Sequence, residues 1–299
     1  MRKSLLCAIP LIASLFVPVA AQSEAEEMHG PPKVLLIVKE DIKPGMMNSH
    51  NRHSSNYVSV FSKLQTPNHR IAMTPVAGSE NEVVYLTGCE SFAELERILN
   101  ETNKKMGGVN ASMQTELDKL DKEAGHLHSG MRDVWALLRP DLGFNSAAPI
   151  PQMRYFAVTT VRLRPGRDAQ YANYVSKILA LAKEKAKPPE NFHIAVYQVV
   201  SGAPGGTYLV FRPMKSLAEM DMPIGRKLRE AMSDEMKKES DKEYSEMVMS
   251  TETSVYAFAP KLSFLPKEFT SLDPDFWTPQ SQVATSPKPR KRTAVAAKP

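Results

Sequence analysis

The sequence predicts an α+β fold that uses one strand–helix–strand–strand–helix–strand unit twice. The first observation is a repeat: the Pro-Gly pair at 44–45 recurs at 165–166, and the letters NYVS occur at both 56–59 and 173–176. The second is that apolar runs and helical spacing follow in the same order after each copy. Self-similarity at a fixed spacing indicates that one structural unit has been repeated along the chain.

Each element of the first unit has a local signal. The apolar run at 34–38 predicts a strand buried on both faces. Apolar residues three and four apart over 46–64 predict a helix. Ser91 with Glu94 forms a capping-box pattern, which predicts the start of a second helix. The remaining predicted elements are hairpin strands at 70–76 and 82–88, a helical piece that follows Gly107-Gly108 and runs toward Gly130, and a fourth strand at 134–138.

The second unit repeats this order after a small linker at 145–151. Its predicted elements are a strand at 154–163, a helix at 168–185, strands at 192–200 and 207–211, a long helix at 216–249 broken at Pro223, and a strand at 255–258. Two helices on one face of a four-stranded antiparallel sheet make the ferredoxin-like arrangement. The other face of each sheet then needs a partner to cover it.

Two such sheets in one chain can cover each other, and in this the chain resembles the dimeric α+β barrel superfamily, which includes antibiotic-biosynthesis-monooxygenase-like domains. The resemblance covers residues 33 to 264 and rests on element order, the Pro-Gly pair and the repeat. It implies an intramolecular barrel with units at 33–145 and 152–266. Family members include quinone-forming oxygenases, haem-degrading and haem-binding enzymes and muconolactone isomerases, and no motif of any one branch is found here.

The N-terminus has the pattern of a secretory signal peptide over residues 1–21. Arg2 and Lys3 precede an apolar run at 5–19, and small residues stand before Gln22. We therefore expect a periplasmic or secreted protein with no transmembrane segment after signal cleavage. Cys89 is then the remaining cysteine, so an internal disulfide is excluded, and we expect it to have no chemical role.

The formal net charge of +5 is concentrated at the two ends of the chain. Of the 38 Lys and Arg residues, two lie in the signal peptide and five in the last twelve residues, which leaves 31 against 33 acidic residues. A nearly neutral body argues against a nucleic-acid-binding surface. The basic, Pro-rich segment 280–299 predicts a disordered tail that contacts anionic envelope surfaces.

The two units differ most at their first helix, where the first copy has four extra residues between Pro-Gly and NYVS. The surplus holds His50 and His53, which share a helical stripe with Tyr57. One interpretation is a ligand pocket formed by these three residues, in which a histidine acts as proton shuttle, haem contact or metal ligand. The other, which the pattern favours, is a solvated first turn.

No metal site is predicted, because no carboxylate at helical spacing joins these histidines. His126 and His128 stand two apart on a predicted helix and could not both face one ion. We expect an exported, non-catalytic protein that is structural or binds a small apolar or aromatic ligand, with no cofactor assigned. The alternative is a small-molecule oxidoreductase or haem-handling enzyme of the α+β barrel monooxygenase type, with its pocket in the first unit.

Overall fold

The structure is a computed structural model that describes residues 30–278. It contains eight strands: β1 (Val34–Ile42), β2 (Ile71–Ala77), β3 (Glu82–Cys89), β4 (His128–Leu138), β5 (Tyr155–Leu163), β6 (Ala195–Ser201), β7 (Thr207–Met214) and β8 (Val248–Phe258). They close into one antiparallel barrel in the order β1-β3-β2-β8-β5-β7-β6-β4. The predicted α+β class and eight-stranded barrel are confirmed.

Helices cover the outside of this barrel. They are α1 (Met47–Leu64), α2 (Phe92–Gly107), α3 (Ala111–Leu127), α4 (Asp168–Leu181) with a π-helical end at Ala182–Ala186, α5 (Ile224–Glu230), α6 (Asp234–Met247), α7 (Lys267–Thr270) and α8 (Pro274–Trp277). Short 3-10 turns lie at Pro140–Leu142, Ile150–Gln152, Leu217–Asp221 and Pro260–Leu262. No helix within 30–278 is both long and apolar enough to cross a bilayer.

The barrel is made of two groups of four strands. The first half, residues 33–145, supplies β4-β1-β3-β2, and the second half, residues 152–266, supplies β8-β5-β7-β6 in the same spatial order. The groups meet at two seams, where β2 pairs with β8 and β4 pairs with β6. Each sheet therefore turns one face toward the other sheet and the opposite face toward its own helices.

The space between the two sheets is filled by apolar side chains. Leu35 and Ile37 of β1 point into it, whereas their neighbours Val34 and Leu36 pack against α2. Phe156 packs with its ring centroid 5.4 Å from Phe211, in the edge-on arrangement that aromatic pairs prefer. The alternation explains why β1 reads as a continuous apolar run: both of its faces are buried.

Most predicted elements are present, and the main difference lies at 216–249. The Ser91 cap is confirmed, since its hydroxyl accepts from the Glu94 N–H at 3.1 Å. The predicted helix at 216–249 breaks at Pro223 as expected, but a 3-10 turn, α5 and α6 occupy the region instead of one long broken helix, and β8 begins already at Val248. Pro223 ends the first piece, and Ser233 starts α6 by accepting from the Met236 N–H at 3.2 Å.

The segment after Pro266 is more structured than its composition suggested. Trp277 is only 5% exposed, and its indole N–H donates to the Pro151 carbonyl at 2.7 Å. Phe269 and Phe276 pack on the same ring, with centroids 5.2 and 4.9 Å away. A few aromatic residues therefore anchor a segment whose average composition is polar. The predicted signal peptide at 1–21 and tail at 280–299 lie outside the described residues.

After its last strand, each half sends a short tail onto the other half. Leu142, which follows β4, is buried in the second-half cluster that contains Tyr208. Leu262, which follows β8, is buried in the first-half cluster that contains Tyr85. The Ser263 hydroxyl next to it accepts from the Ala72 N–H of β2 at 2.9 Å. We call these two segments, 139–144 and 259–264, the exchanged tails.

Candidate functional site

Polar side chains meet between α1 and the helix-facing side of the first-half sheet. Glu40 lies near the end of β1, His50 lies in the first turn of α1, and His128 is the first residue of β4. β1 residues with even numbers face the helices, so Glu40 points toward α1. We call Glu40, His50 and His128 the histidine cluster.

The cluster is tightly packed. His50 Nε2 lies 2.7 Å from Glu40 Oε2, and His128 Nε2 lies 3.5 Å from the same oxygen. The two imidazole centroids are 5.2 Å apart. Ser54, one turn along α1, places its hydroxyl 3.3 Å from His50 Nε2 and 2.9 Å from the Tyr85 hydroxyl of β3. Strands β1, β3 and β4 and helix α1 therefore fix the positions of the cluster.

The charges around Glu40 favour its ionised form. Burial alone would raise the pKa of Glu40, but the hydrogen bond with His50 and the electrostatic interactions with His50, His128 and Arg70 together lower it. Burial lowers the pKa of His128. Arg70 is buried beneath aromatic rings, with its guanidinium 4.2 Å from the centre of the Tyr85 ring. Burial raises the pKa of Tyr85, so this phenol stays protonated.

Several buried nitrogens in this region lack a hydrogen-bond partner among the described residues. They are His50 Nδ1, His53 Nδ1, His128 Nε2 and Arg70 Nε. Buried polar atoms in folded proteins are nearly always paired, because an unpaired one keeps the full cost of leaving water. Such a concentration of unpaired atoms beside one ionised carboxylate indicates a site with unused ligand-binding capacity.

An open cleft of about 990 Å³ runs beside the first turns of α1. His53 forms part of its wall and separates it from the histidine cluster, with its ring centroid 6.3 Å from that of His128. Ten of the fourteen lining residues have polar side chains. The lining is Ser49, Asn51, Arg52, His53, Ser55, Asn56, Thr74, Glu123, His126, Leu127, Ala259, Pro260, Lys261 and Leu262.

The three residues predicted to bind a ligand have different positions. His53 lines the cleft, and its Nδ1 lies 3.5 Å from Glu123 Oε2. His50 lies behind it in the histidine cluster. Tyr57 turns toward α3 and donates its hydroxyl to Asp121. Burial, followed by this hydrogen bond to the carboxylate, raises the pKa of Tyr57.

The favoured interpretation of a solvated first turn is wrong. His50 is 0% exposed and His53 is 4% exposed, because the extra turn of α1 packs onto the sheet. The prediction that no carboxylate joins the histidines considered helical spacing only, and the carboxylate comes from β1 instead. The alternation of β1 was the signal that could have shown Glu40 on the side facing α1.

The prediction for His126 and His128 also needs correction, because both were placed on one helix. α3 ends at Leu127, and His128 begins β4. The chain changes direction between them, so His126 is exposed at the cleft and His128 faces Glu40. Cys89 is buried, and burial followed by the charge of Glu94 raises the pKa of its thiol to about 11.

The equivalent place in the second half has different contents. Strand register matches Val248 to His128, because Leu163 pairs with Val248 as Ile42 pairs with His128. Glu40 lies two residues before Ile42, and Val161 lies two residues before Leu163, so Val161 is the equivalent of Glu40. The space is filled by Tyr171, whose ring lies 4.8 Å from that of Tyr208. In the second half, apolar and aromatic side chains therefore pack where the first half has Glu40 and the histidines.

Comparison with known proteins gives a distant likeness in structure. No protein-family model matches the chain, and no curated protein does. A crystal structure of an anthrone oxidase-like protein has a TM-score of 0.44 and 13% identity, covering 76% of this chain and 92% of its own. A mutant chlorite dismutase from Candidatus Nitrospira defluvii has a TM-score of 0.47 and 10% identity, covering 80% and 96%. Likeness at this level identifies no family and no activity for this chain.

Proposed function

We propose that this protein binds a small molecule in the cleft beside α1, and that the site belongs to the first half. The observation that carries the proposal is the contrast between the halves. The first half combines an open cleft with buried, unpaired nitrogens, whereas Tyr171 and its neighbours fill the equivalent space in the second half.

The cleft lining favours a ligand with an apolar body and an anionic group. Leu127 and Leu262 supply apolar wall. Arg52 and Lys261 stand exposed at the rim with positive charge, opposed by Glu123. An aromatic carboxylate combines these properties, since its ring would cover the leucines and its carboxylate would face the basic side chains.

The role we propose is binding without catalysis. His53 is the histidine of α1 that reaches the cleft, and its ring is held edge-on against Tyr57 at 5.1 Å between centroids. His50 is fully buried and hydrogen-bonded to Glu40, so it presents no free face to a porphyrin in the cleft. The α1 histidines therefore do not fit a haem contact, and no step through haem is proposed.

We also infer that the two halves are tandem copies of one ferredoxin-like unit that close a barrel within a single chain. The equal strand order of the two halves and the matching register at His128 and Val248 support this. Export through the signal peptide at 1–21 and contact of the tail at 280–299 with anionic surfaces stay predictions from the sequence.

The test is calorimetric titration of the protein with benzoate, salicylate and phenylacetate, chosen to vary one group at a time. At least one should bind, and Arg52→Glu should weaken it by tenfold or more because the charge facing the carboxylate is reversed. His53→Ala should weaken it as well. The matched control is Gln170→Ala in the second half. Gln170 occupies the same position relative to NYVS as His53, and its replacement should leave binding unchanged.

Equal losses from His53→Ala and Gln170→Ala would contradict a first-half site. Absence of binding by all three carboxylates would contradict the proposed ligand class. His50 is left intact in this experiment, because it is fully buried and its removal would unpair Glu40.

A further inference from the structure

We propose that Glu40, His50 and His128 bind one divalent transition-metal ion. This goes beyond the proposed ligand cleft and does not depend on it, because the cluster lies behind His53 and the cleft lining does not include these three residues. Two imidazoles and one carboxylate form a donor set that suits zinc, cobalt and ferrous iron.

The spacing of the three donors is close to what an ion requires. One ligand atom from each residue can be chosen so that all three lie within 4.8 Å of one another. Glu40 Oε2 is 2.7 Å from His50 Nε2 and 3.5 Å from His128 Nε2. Metal bonds of about 2.1 Å place neighbouring ligand atoms about 3.0 to 3.4 Å apart. The two separations from Glu40 Oε2 lie just below and just above this range.

The hydrogen-bonding state of the cluster gives a second, independent indication. His50 is fully buried, yet its Nδ1 has no partner among the described residues. His128 Nε2, which faces Glu40, has none either. His128 would bind the ion through its unpaired Nε2, and His50 would bind it through Nε2 in place of its hydrogen bond with Glu40, with its proton on Nδ1. Three protein ligands leave at least one position for water or another donor.

The surroundings act both for and against the ion. Ser54, held by the Tyr85 hydroxyl, lies 3.3 Å from His50 Nε2. This is the nitrogen that would bind the ion, so the serine hydroxyl lies close enough to take part in the coordination. Arg70 acts against it, because its buried positive charge already interacts with Glu40. We therefore expect weaker binding than in a site without a neighbouring guanidinium.

The second half offers a built-in comparison. Val161 and Val248 occupy the positions of Glu40 and His128 there, and apolar side chains are not metal ligands. The proposal therefore requires one ion per chain rather than two.

The test is titration of the purified, chelator-treated protein with Co²⁺, followed by its visible absorption, and with Zn²⁺ by calorimetry. We expect one equivalent to bind, and Glu40→Gln and His128→Gln each to weaken binding by tenfold or more. His126→Gln is the matched control, because His126 is two residues from His128 but exposed on the cleft side. Its affinity should equal that of the unaltered protein.

Failure of the unaltered protein to bind one equivalent would overturn the proposal, as would undiminished binding by both glutamine variants. If a variant does not fold, proton NMR of the unaltered protein with Co²⁺ decides instead. The His50 and His128 ring signals should shift or broaden first, with those of His193 unchanged, and signals affected only elsewhere would place the ion elsewhere. Arg52→Glu should retain the metal, so loss of carboxylate binding and loss of the metal can be told apart.

Discussion

The two halves place a tyrosine at the same point of their third strand, Tyr85 in β3 and Tyr208 in β7, and surround it with different chemistry. The Tyr85 hydroxyl meets Ser54 at 2.9 Å, with the histidine cluster behind that serine. The Tyr208 ring instead packs on Tyr171, and its hydroxyl donates to Asp168 at 2.9 Å. The same fold thus accepts a packed pair of tyrosine rings where the first half has Ser54 and the histidine cluster.

This difference separates what the fold needs from what the first half adds to it. A buried ionic cluster usually stabilises a protein no more than well-packed apolar groups of similar size would. The second half shows such an apolar solution in the same chain. The polar residues of the first half are therefore not explained by folding, which is the argument for assigning them a function.

The sharpest test of the comparison is a reciprocal exchange between Glu40 and Val161. Val161→Glu should destabilise the protein most, by about 5 kcal/mol, because it buries a carboxylate among apolar side chains with no partner. Glu40→Val should cost about 3 kcal/mol, since it removes the carboxylate that contacts both His50 and His128. Urea unfolding followed by circular dichroism measures both, and a tolerated Val161→Glu would show that the two environments are more alike than the contacts indicate.

A second test compares two residues at equivalent places on the first helix of each half. Tyr171→Ala should cost about 3 to 4 kcal/mol, because it opens a cavity against Tyr208. Ser54→Ala should cost about 1 kcal/mol, the usual value of a lost hydrogen bond. The same unfolding experiment applies. If Ser54→Ala were the more damaging change, the serine would have to be counted as part of the structural core.

A smaller effect is expected from pH. Burial, followed by the hydrogen bond to Asp168, raises the pKa of Tyr208 to about 12 from its ordinary value of 10.0. The folded protein therefore holds this proton more tightly than the unfolded chain. The resulting stability is fully present below pH 10 and is lost as pH rises toward 12, by about 1 to 2 kcal/mol. Tyr208→Phe should flatten this part of the stability profile, and parallel profiles for the two proteins would contradict the assignment.

The fold could be predicted from the sequence because its signals are local and occur twice. The continuous apolar run of β1, the Ser91 cap and the Pro-Gly pair each act within a few residues, and the repeat reinforces them. The long helix at 216–249 was predicted wrongly for a local reason as well. Its charged, Met-containing sequence suits a helix, and the boundary at Val248 is set by pairing with Leu163, which lies far away in the chain.

The site was only partly predictable. The surplus residues pointed to His50 and His53, but the partner of His50 is Glu40, ten residues away on another element. His128 joins them only because it is the first residue of β4, where it pairs with Ile42 of β1. Burial of the cluster depends on how closely α1 packs on the sheet, and no spacing within α1 itself contains that information.

The exchanged tails bear on how freely the two halves can diverge. Residues 259–262 belong by sequence to the second half, yet they form one wall of the first-half cleft, and the Ser55 hydroxyl donates to the Lys261 carbonyl across this boundary. Selection for ligand binding would therefore act on residues of both halves of the chain. The second half carries Val161 and Val248 in place of Glu40 and His128, and it still remains tied to the first half as the supplier of that wall.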